Sequence, residues 1–146
     1  MARYIRNISG YNEPVHIRWR VAASQTIKEG DLVELDATSR YLKPASASST
    51  TLVGIALESI TTGAQVSPQD AIKVLPLTGI VVRMSYAGSS KPTLADSDLA
   101  TTLFNLSDAT TIDLDNTTNG MCSVVAYDNT RKTADVIFAA DNVVRL

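Results

Sequence analysis

The amino-acid sequence predicts a mainly β protein: a compact antiparallel β-barrel or β-sandwich with one short helix and an extended N-terminal arm. Short runs of alternating apolar and polar residues recur along the chain, and this is the period of a half-buried strand. Between the runs stand Gly-Asp, Lys-Pro, Thr-Gly and Asn-Gly pairs, which form turns and interrupt helices. A length of 146 residues suits one domain with one core.

The first strand is predicted over residues 15–21, where the alternation is strict. Apolar Val15, Ile17, Trp19 and Val21 share one face, and His16, Arg18 and Arg20 share the other. Trp19 is either the core anchor of this strand or an interface residue, and both hold if the strand exposes its arginines. The same patterns predict further strands over residues 32–36, 53–58, 71–75, 79–84, 111–114, 121–127, 134–138 and 143–146.

One stretch predicts a helix, over residues 94–104. Pro92 suits a first helical turn, and Ser90 or Thr93 can cap it. The sequence has no sharp boundary and no internal repeat. We therefore divide it into an N-terminal arm, residues 1–14, and a single β-rich domain, residues 15–146.

The N-terminal region is basic, whereas the remainder is acidic. Residues 1–25 hold four Arg and one Glu, although the whole chain has a formal net charge of −2. This asymmetry is either an uneven surface or an arm that reaches toward an acidic partner, including a neighbouring copy. Tyr4, Tyr11 and Trp19 lie among these arginines, and Trp, Tyr and Arg dominate many interfaces.

The sequence offers little that could catalyse a reaction. It contains one His, His16, predicted to be solvated or at an interface, and one Cys, Cys122, predicted to be buried. Phosphate-binding glycine motifs are absent, and the pairs Asp96 with Asp98 and Asp113 with Asp115 are interpreted as turn-forming acids. We therefore expect no enzymatic activity, no cofactor and no bound metal.

Charge and hydropathy also exclude two kinds of partner. A net charge of −2 argues against a general nucleic-acid binder, which needs clustered Lys and Arg. No apolar run approaches the ~18 residues of a membrane-spanning helix, and the N-terminus lacks the apolar run of a signal peptide. We expect neither a nucleic-acid nor a membrane partner, and synthesis in a cytoplasm.

Several short motifs follow one another in a fixed order. A turn is followed by an apolar strand, then Lys-Pro-Ala, a run of small residues and Val-Gly-Ile-Ala. Their positions are Ala22–Ala23, Gly30–Asp31, residues 32–35, Lys43–Pro44–Ala45, residues 46–51 and residues 53–56. This order resembles the small decoration, or cement, proteins that stabilise the heads of tailed bacteriophages, and a looser likeness returns in residues 115–119, 124–128 and 134–138.

The resemblance implies a β-tulip-like fold and a structural role in the virion. Such a protein binds the outer surface of an expanded head, bridges neighbouring capsomers, and withstands DNA pressure. It implies the major capsid protein as partner and a homo-oligomer, expected to be a trimer. The residues predicted to bind the capsid are Arg3, Tyr4, Ile5, Arg6, Ile8, Arg18 and Arg20.

A symmetric trimer interface would need an apolar, charge-poor patch. Its predicted members are Val53, Ile55, Leu57, Leu75, Leu77, Ile80 and Val82, some of which must also fill the core. Two alternatives remain open. One is another virion or extracellular β-rich binding module, such as a fibre, adhesin or carbohydrate-binding domain, and the other is an enzyme or carrier domain.

Overall fold

The computed structural model describes residues 1–8 and 15–145. Within them the chain is mainly β, as predicted, and the only helical elements are single 3₁₀ turns at Asp96–Asp98 and Ala140–Asn142. The strands are β1 Arg3–Asn7, β2 Ile17–Arg20, β3 Thr26–Ile27, β4 Leu32–Leu35, β5 Leu42–Pro44, β6 Leu52–Ala56, β7 Ile60–Thr61, β8 Ala71–Pro76, β9 Ile80–Ala87, β10 Leu103–Leu106, β11 Thr111–Asp113, β12 Cys122–Asp128 and β13 Thr133–Phe138.

Sheet I has six strands in the order β1-β9-β11-β10-β12-β13. The long strand β9 also pairs with β13, so the sheet folds back on itself. Only the β9–β11 pair is parallel, and the other pairs are antiparallel. The outer face of β1, β9, β13 and β12 carries the candidate site described below.

Sheet II has five antiparallel strands in the order β2-β8-β6-β4-β5. Just after β2, Val21 forms an isolated parallel bridge with Leu42 of β5, so the two ends of this sheet also approach each other. A separate pair, β3 with β7, lies beside it. Sheet II therefore has an interior of its own.

Two hydrophobic cores result, and β4 and β6 contribute to both. Leu32 and Ile55 belong to a central core that also contains side chains of sheet I. The neighbouring Val33 and Ala56 point the other way, into a second core formed by sheet II and β3. Every residue of β6 is buried, which explains why this strand is a continuous apolar run in the sequence.

Close strand packing in sheet II requires glycine at one position. A Cβ atom on Gly54 would lie 2.0 Å from the carbonyl oxygen of Leu75, far inside contact distance. This glycine of the Val-Gly-Ile-Ala motif lets β6 approach β8.

The N-terminal residues differ from the predicted arm. Arg3–Asn7 pair with β9 as an edge strand of sheet I, and Ala2 is buried and donates its N–H to the carbonyl oxygen of Gly30 at 2.7 Å. At the other end, the Ile8 N–H donates to the carbonyl oxygen of Gly79 at 2.7 Å. Residues 2–8 therefore belong to the folded domain, and residues 9–14 of the predicted arm lie outside the described residues.

The predicted helix over residues 94–104 is wrong. Only Asp96–Asp98 form a 3₁₀ turn, Ala100 has a φ of 57°, and β10 begins at Leu103. The Asp98 carboxylate accepts the Ala95 N–H at 2.8 Å, a local bond that competes with continued helix. The β-branched pair Thr101–Thr102 further disfavours helix here.

The strand predicted over residues 143–146 is only partly present. Val143 forms an isolated parallel bridge with Leu52, and the Val144 N–H donates to the Leu52 carbonyl oxygen at 2.9 Å, but no strand forms there in the described residues. The last predicted strand residue, Leu146, lies outside the described part.

Candidate binding surface

The structure divides the predicted capsid-binding residues between the two sheets. Arg3 and Arg6 are exposed on β1, and Ile8, just beyond it, is 49% exposed. Ile5 is half-buried at an irregularity in the β1–β9 pairing. Tyr4 packs on the central core and donates its hydroxyl to Asn7 Oδ1 at 3.3 Å.

Arg18 and Arg20 lie on β2 in sheet II, where both have intramolecular neighbours. Arg18 Nη1 is 3.5 Å from Glu58 Oε2. The Arg20 guanidinium lies 4.6 Å from the centre of the Tyr41 ring, and its Nε is buried without a hydrogen-bond partner in the described residues. Trp19 is half-buried against the second core and donates its indole N–H to the Arg40 carbonyl oxygen at 3.0 Å.

A concave surface lies on the outer face of sheet I. This cleft has a volume of about 570 Å³ and is lined by residues of β1, β9, β12 and β13 and of the β12–β13 hairpin. Its charged residues are Arg3, Arg83, Arg131, Asp128 and Asp135. Of the predicted binding residues, only Arg3 lines it.

Arg83 and Asp135 form the strongest ion pair of the cleft. Arg83 Nε and Nη2 donate to the two Asp135 carboxylate oxygens at 2.7 and 3.0 Å, the bidentate geometry that makes such pairs strong. The hydrogen bond that Arg83 donates to Asp135, more than the charge of Asp135, raises the pKa of Arg83. This pair is therefore a fixed part of the cleft wall.

Sequence reasoning missed Arg83 and Asp135. They lie 52 residues apart and meet only because β9 pairs with β13. The alternation in β9 places Arg83 on the polar face of its strand, but no local pattern shows which strand lies beside it.

A second, smaller groove of about 320 Å³ lies on sheet II. It is lined by Glu34, Leu35, Ala37, Arg40, Lys43 and residues 46–51. Glu34 is only 4% exposed, and its Oε1 accepts a hydrogen bond from Ser46 Oγ at 2.7 Å, with Lys43 Nζ at 3.7 Å. The small-residue loop of the sequence is thus held over a buried carboxylate.

A buried asparagine fastens the same loop to sheet I. Asn105 Nδ2 donates to Ser48 Oγ at 2.8 Å and to the Thr118 carbonyl oxygen at 2.9 Å. Its Oδ1 accepts the N–H groups of Ser48 and Leu106, both at 2.8 Å. Asn105 is fully buried and uses both ends of its amide, so it joins the two sheets.

The structure shows Asp113 and Asp115 forming turns, as predicted. Asp115 accepts the backbone N–H groups of Ser89, Ser90 and Lys91 at 2.6, 3.0 and 2.8 Å. These bonds stabilise the ionised form and lower the pKa of Asp115. Asp113 Oδ1 accepts the Asp115 N–H at 2.9 Å.

The two residues considered for catalysis do not meet. His16 is exposed, and Cys122 is buried, both as predicted. Burial raises the pKa of the Cys122 thiol to about 12, which leaves it protonated at neutral pH. Across residues 1–8 and 15–145, no three His, Cys, Asp or Glu side chains are grouped as a metal site, and no helix is long and apolar enough to cross a membrane.

Six of the seven residues predicted for the trimer patch are buried within the chain, so they are not available to an interface. Leu57 is 38% exposed, whereas the other residues fill the two cores. The buried members are Val53, Ile55, Leu75, Leu77, Ile80 and Val82. These side chains are needed inside the molecule, because β6 is buried on both faces and β9 directs Ile80 and Val82 into the central core.

The comparisons with known proteins assign no family to the chain. No protein-family model matches the sequence, and no curated protein matches it. The structure defines a mainly β protein with a charged cleft on one sheet and a hydroxyl-lined groove on the other.

Proposed function

We propose that this chain is a structural cement protein of a phage head, which binds the outer surface of the expanded shell and bridges neighbouring capsomers. Its partner would be the major capsid protein, and it would act in the virion as a homo-oligomer, a trimer at three-fold positions. It would have no enzymatic turnover.

One observation carries the proposal: the motifs that resemble cement proteins contact one another in the fold. The Gly30 N–H donates to the Ala56 carbonyl oxygen, and the Ala56 N–H donates to the Asp31 carbonyl oxygen, both at 2.8 Å. The Ala45 N–H donates to the Leu32 carbonyl oxygen at 2.9 Å. The Gly-Asp turn, the Lys-Pro-Ala strand and the Val-Gly-Ile-Ala strand thus form one structural unit, which supports reading them as one family signature.

The surface of the molecule supports a role in contact rather than in catalysis. Arg3, Arg6 and Ile8 are exposed on or beside an edge strand that is itself anchored to the domain. An edge strand presents unpaired backbone groups, to which a strand of another protein can add. We further propose that sheet I is a partly closed barrel, since β9 pairs with β1, β11 and β13.

The proposed mechanism is mechanical. Packaged DNA pushes capsomers apart, and a symmetric clip that engages several capsid subunits must lose its contacts together before it is released. The clip would bind the expanded shell more tightly than the procapsid, and it would stabilise the expanded shell by that difference in affinity.

Co-sedimentation with heads of the phage that encodes the chain tests the proposal. We expect saturable binding to expanded heads, at least about tenfold weaker binding to procapsids, and a higher temperature of DNA release for decorated heads. Equal affinity for both shells, or an unchanged release temperature at saturation, would contradict the cement function.

The groove on sheet II favours a second candidate, a carbohydrate-binding module. Lys43 and Arg40 can donate hydrogen bonds to sugar hydroxyls there, and the exposed hydroxyls of Ser46 and Thr50 can accept them. Binding of neutral oligosaccharides that is lost in Lys43→Met, without any binding to heads, would support this candidate in place of the cement function.

A further inference from the structure

We propose that the cleft on the outer face of sheet I binds an extended, carboxylate-bearing segment of a partner protein, with Arg3 and Arg131 as its cationic contacts. This inference deepens the proposed function and rests on it, because it names the chemistry of the partner segment that this face would recognise.

Arg3 supplies a positive charge that the fold does not neutralise. It stands directly opposite Arg83 in the β1–β9 register, an arrangement of like charges that destabilises a sheet. The Asp135 carboxylate neutralises Arg83 in a bidentate ion pair. Arg3 has no ion pair within the described residues. Arg3 is exposed and lines the cleft, so its guanidinium is available to an incoming acid.

Arg131 supplies the second contact from the opposite side of the cleft. It lies in the turn between β12 and β13, and its side chain is 81% exposed. Its Nε is 3.9 Å from Asp128 Oδ2, at the limit of an ion pair. The other Asp128 oxygen accepts the N–H groups of Thr130 and Arg131 at 2.9 and 3.1 Å, so this carboxylate serves chiefly to form the turn.

Small side chains line part of the cleft beside the Arg83–Asp135 pair. Ser85 of β9, Ala126 of β12 and Thr133 of β13 all line the cleft. The three strands lie side by side with β13 in the middle. Thr133 of β13 pairs with Ser85 of β9 on one side and with Asp128 of β12 on the other. A narrow, extended backbone can therefore lie close to the sheet while its acidic side chains reach the arginines.

The charges of the cleft favour a protein segment over a nucleic acid. Asp128 and Asp135 also line it, and they would repel a continuous row of phosphates. A segment with a few spaced carboxylates can contact Arg3 and Arg131 and avoid both acids.

The direct test is an NMR titration of the full chain with the capped peptide acetyl-Glu-Ser-Ser-Ser-Glu-amide, in which neutral residues separate the two carboxylates. We expect shifts of the amide signals around Arg3, Arg83 and Thr133, which weaken as sodium chloride is raised from about 50 to 500 mM. Arg3→Ala and Arg131→Ala should each weaken binding about fivefold. Arg6→Ala is the matched control, because Arg6 is exposed on the same strand but does not line the cleft.

Three outcomes would overturn the inference. One is equal shifts with the corresponding lysine peptide, and another is an equal loss of affinity in Arg6→Ala and Arg3→Ala. The third is tighter binding of a thymidine oligonucleotide that depends on Arg3, which would make the cleft a nucleic-acid site.

Head binding separates this inference from the proposed function. If wild type and the Arg3→Ala/Arg131→Ala double variant decorate heads equally, the cleft inference fails and the cement function stands. If the peptide binds as expected but the wild-type protein does not bind heads, the cement function fails and the cleft inference stands. Circular dichroism checks that the exposed substitutions leave the fold unchanged.

Discussion

The two sheets contain similar strands but differ in what covers them. The central strand β6 of sheet II is buried on both faces and has no exposed residue, whereas β9 of sheet I alternates between buried and exposed positions from Val82 onward. The same difference is visible in the sequence, as a continuous apolar run in one strand and an alternating pattern in the other. Sheet II therefore acts as the scaffold, and the outer face of sheet I is free to carry contacts.

The scaffold role of sheet II is most sharply tested at Gly54. In Gly54→Val the new side chain would clash with the Leu75 backbone, so we expect a loss of at least about 3 kcal/mol in the free energy of unfolding, or failure to fold. Gly63→Ala is the matched control, because a Cβ there meets nothing within 4 Å. Urea denaturation measures both, and similar midpoints would contradict the close approach of β6 and β8.

The junction between the sheets is tested at Asn105. Asn105→Ala removes an amide that makes four hydrogen bonds, and it leaves the buried N–H group of Leu106 and the part-buried N–H group of Ser48 without this acceptor. We expect a destabilisation of about 3 kcal/mol in urea denaturation. Hydrogen exchange should also show faster exchange of the Ser48 amide, and unchanged exchange there would argue against the junction.

The edge of sheet I is tested by removing β1. Deletion of residues 2–7 exposes one edge of β9 and removes the packing of Tyr4 on the central core, so we expect a loss of about 2 kcal/mol. A free arm would instead leave stability unchanged. Tyr4→Phe, which keeps the ring and removes only the hydroxyl, should retain most of the stability in the same denaturation measurement.

The smallest effect is expected at an exposed turn, and it depends on pH. Bonds from Ser89 and Lys91 lower the pKa of Asp115 below its ordinary value of 3.8, so its contribution to stability is present above that pH and is lost as pH falls through the lowered pKa. Asp115→Asn should therefore be less stable than wild type at pH 6, with the difference shrinking toward pH 2. A difference that persists at low pH would show that ionisation of Asp115 is not the cause.

The predictable part of the fold is the part in which burial leaves a local pattern. The strands β4, β6, β8, β9, β12 and β13 were all predicted near their observed positions, because apolar runs and turn residues delimit them. Strand β1 was missed because the irregularity near Ile5 breaks its alternation, and β10 because its leucines also fit a helical spacing.

The candidate site was less predictable than the fold. Arg3 could be found, because it stands in a basic, aromatic segment. Its neighbours Arg83 and Asp135 come from strands distant in sequence, and their proximity is a result of pairing rather than of any local signal. Arg20 was predicted to be exposed, but it instead lies against Tyr41.

Because Cys122 is buried, its reactivity reports how often the central core of the unmodified protein opens. Its sulfur contacts the Phe104 carbonyl oxygen at 3.5 Å, and a protonated, enclosed thiol does not react with alkylating reagents. Because the sequence contains no other cysteine, the rate of alkylation of the unmodified protein measures how often the central core opens. A cysteine introduced on the outer face would be the one fast-reacting thiol, so a single dye could be placed there without first removing the native residue.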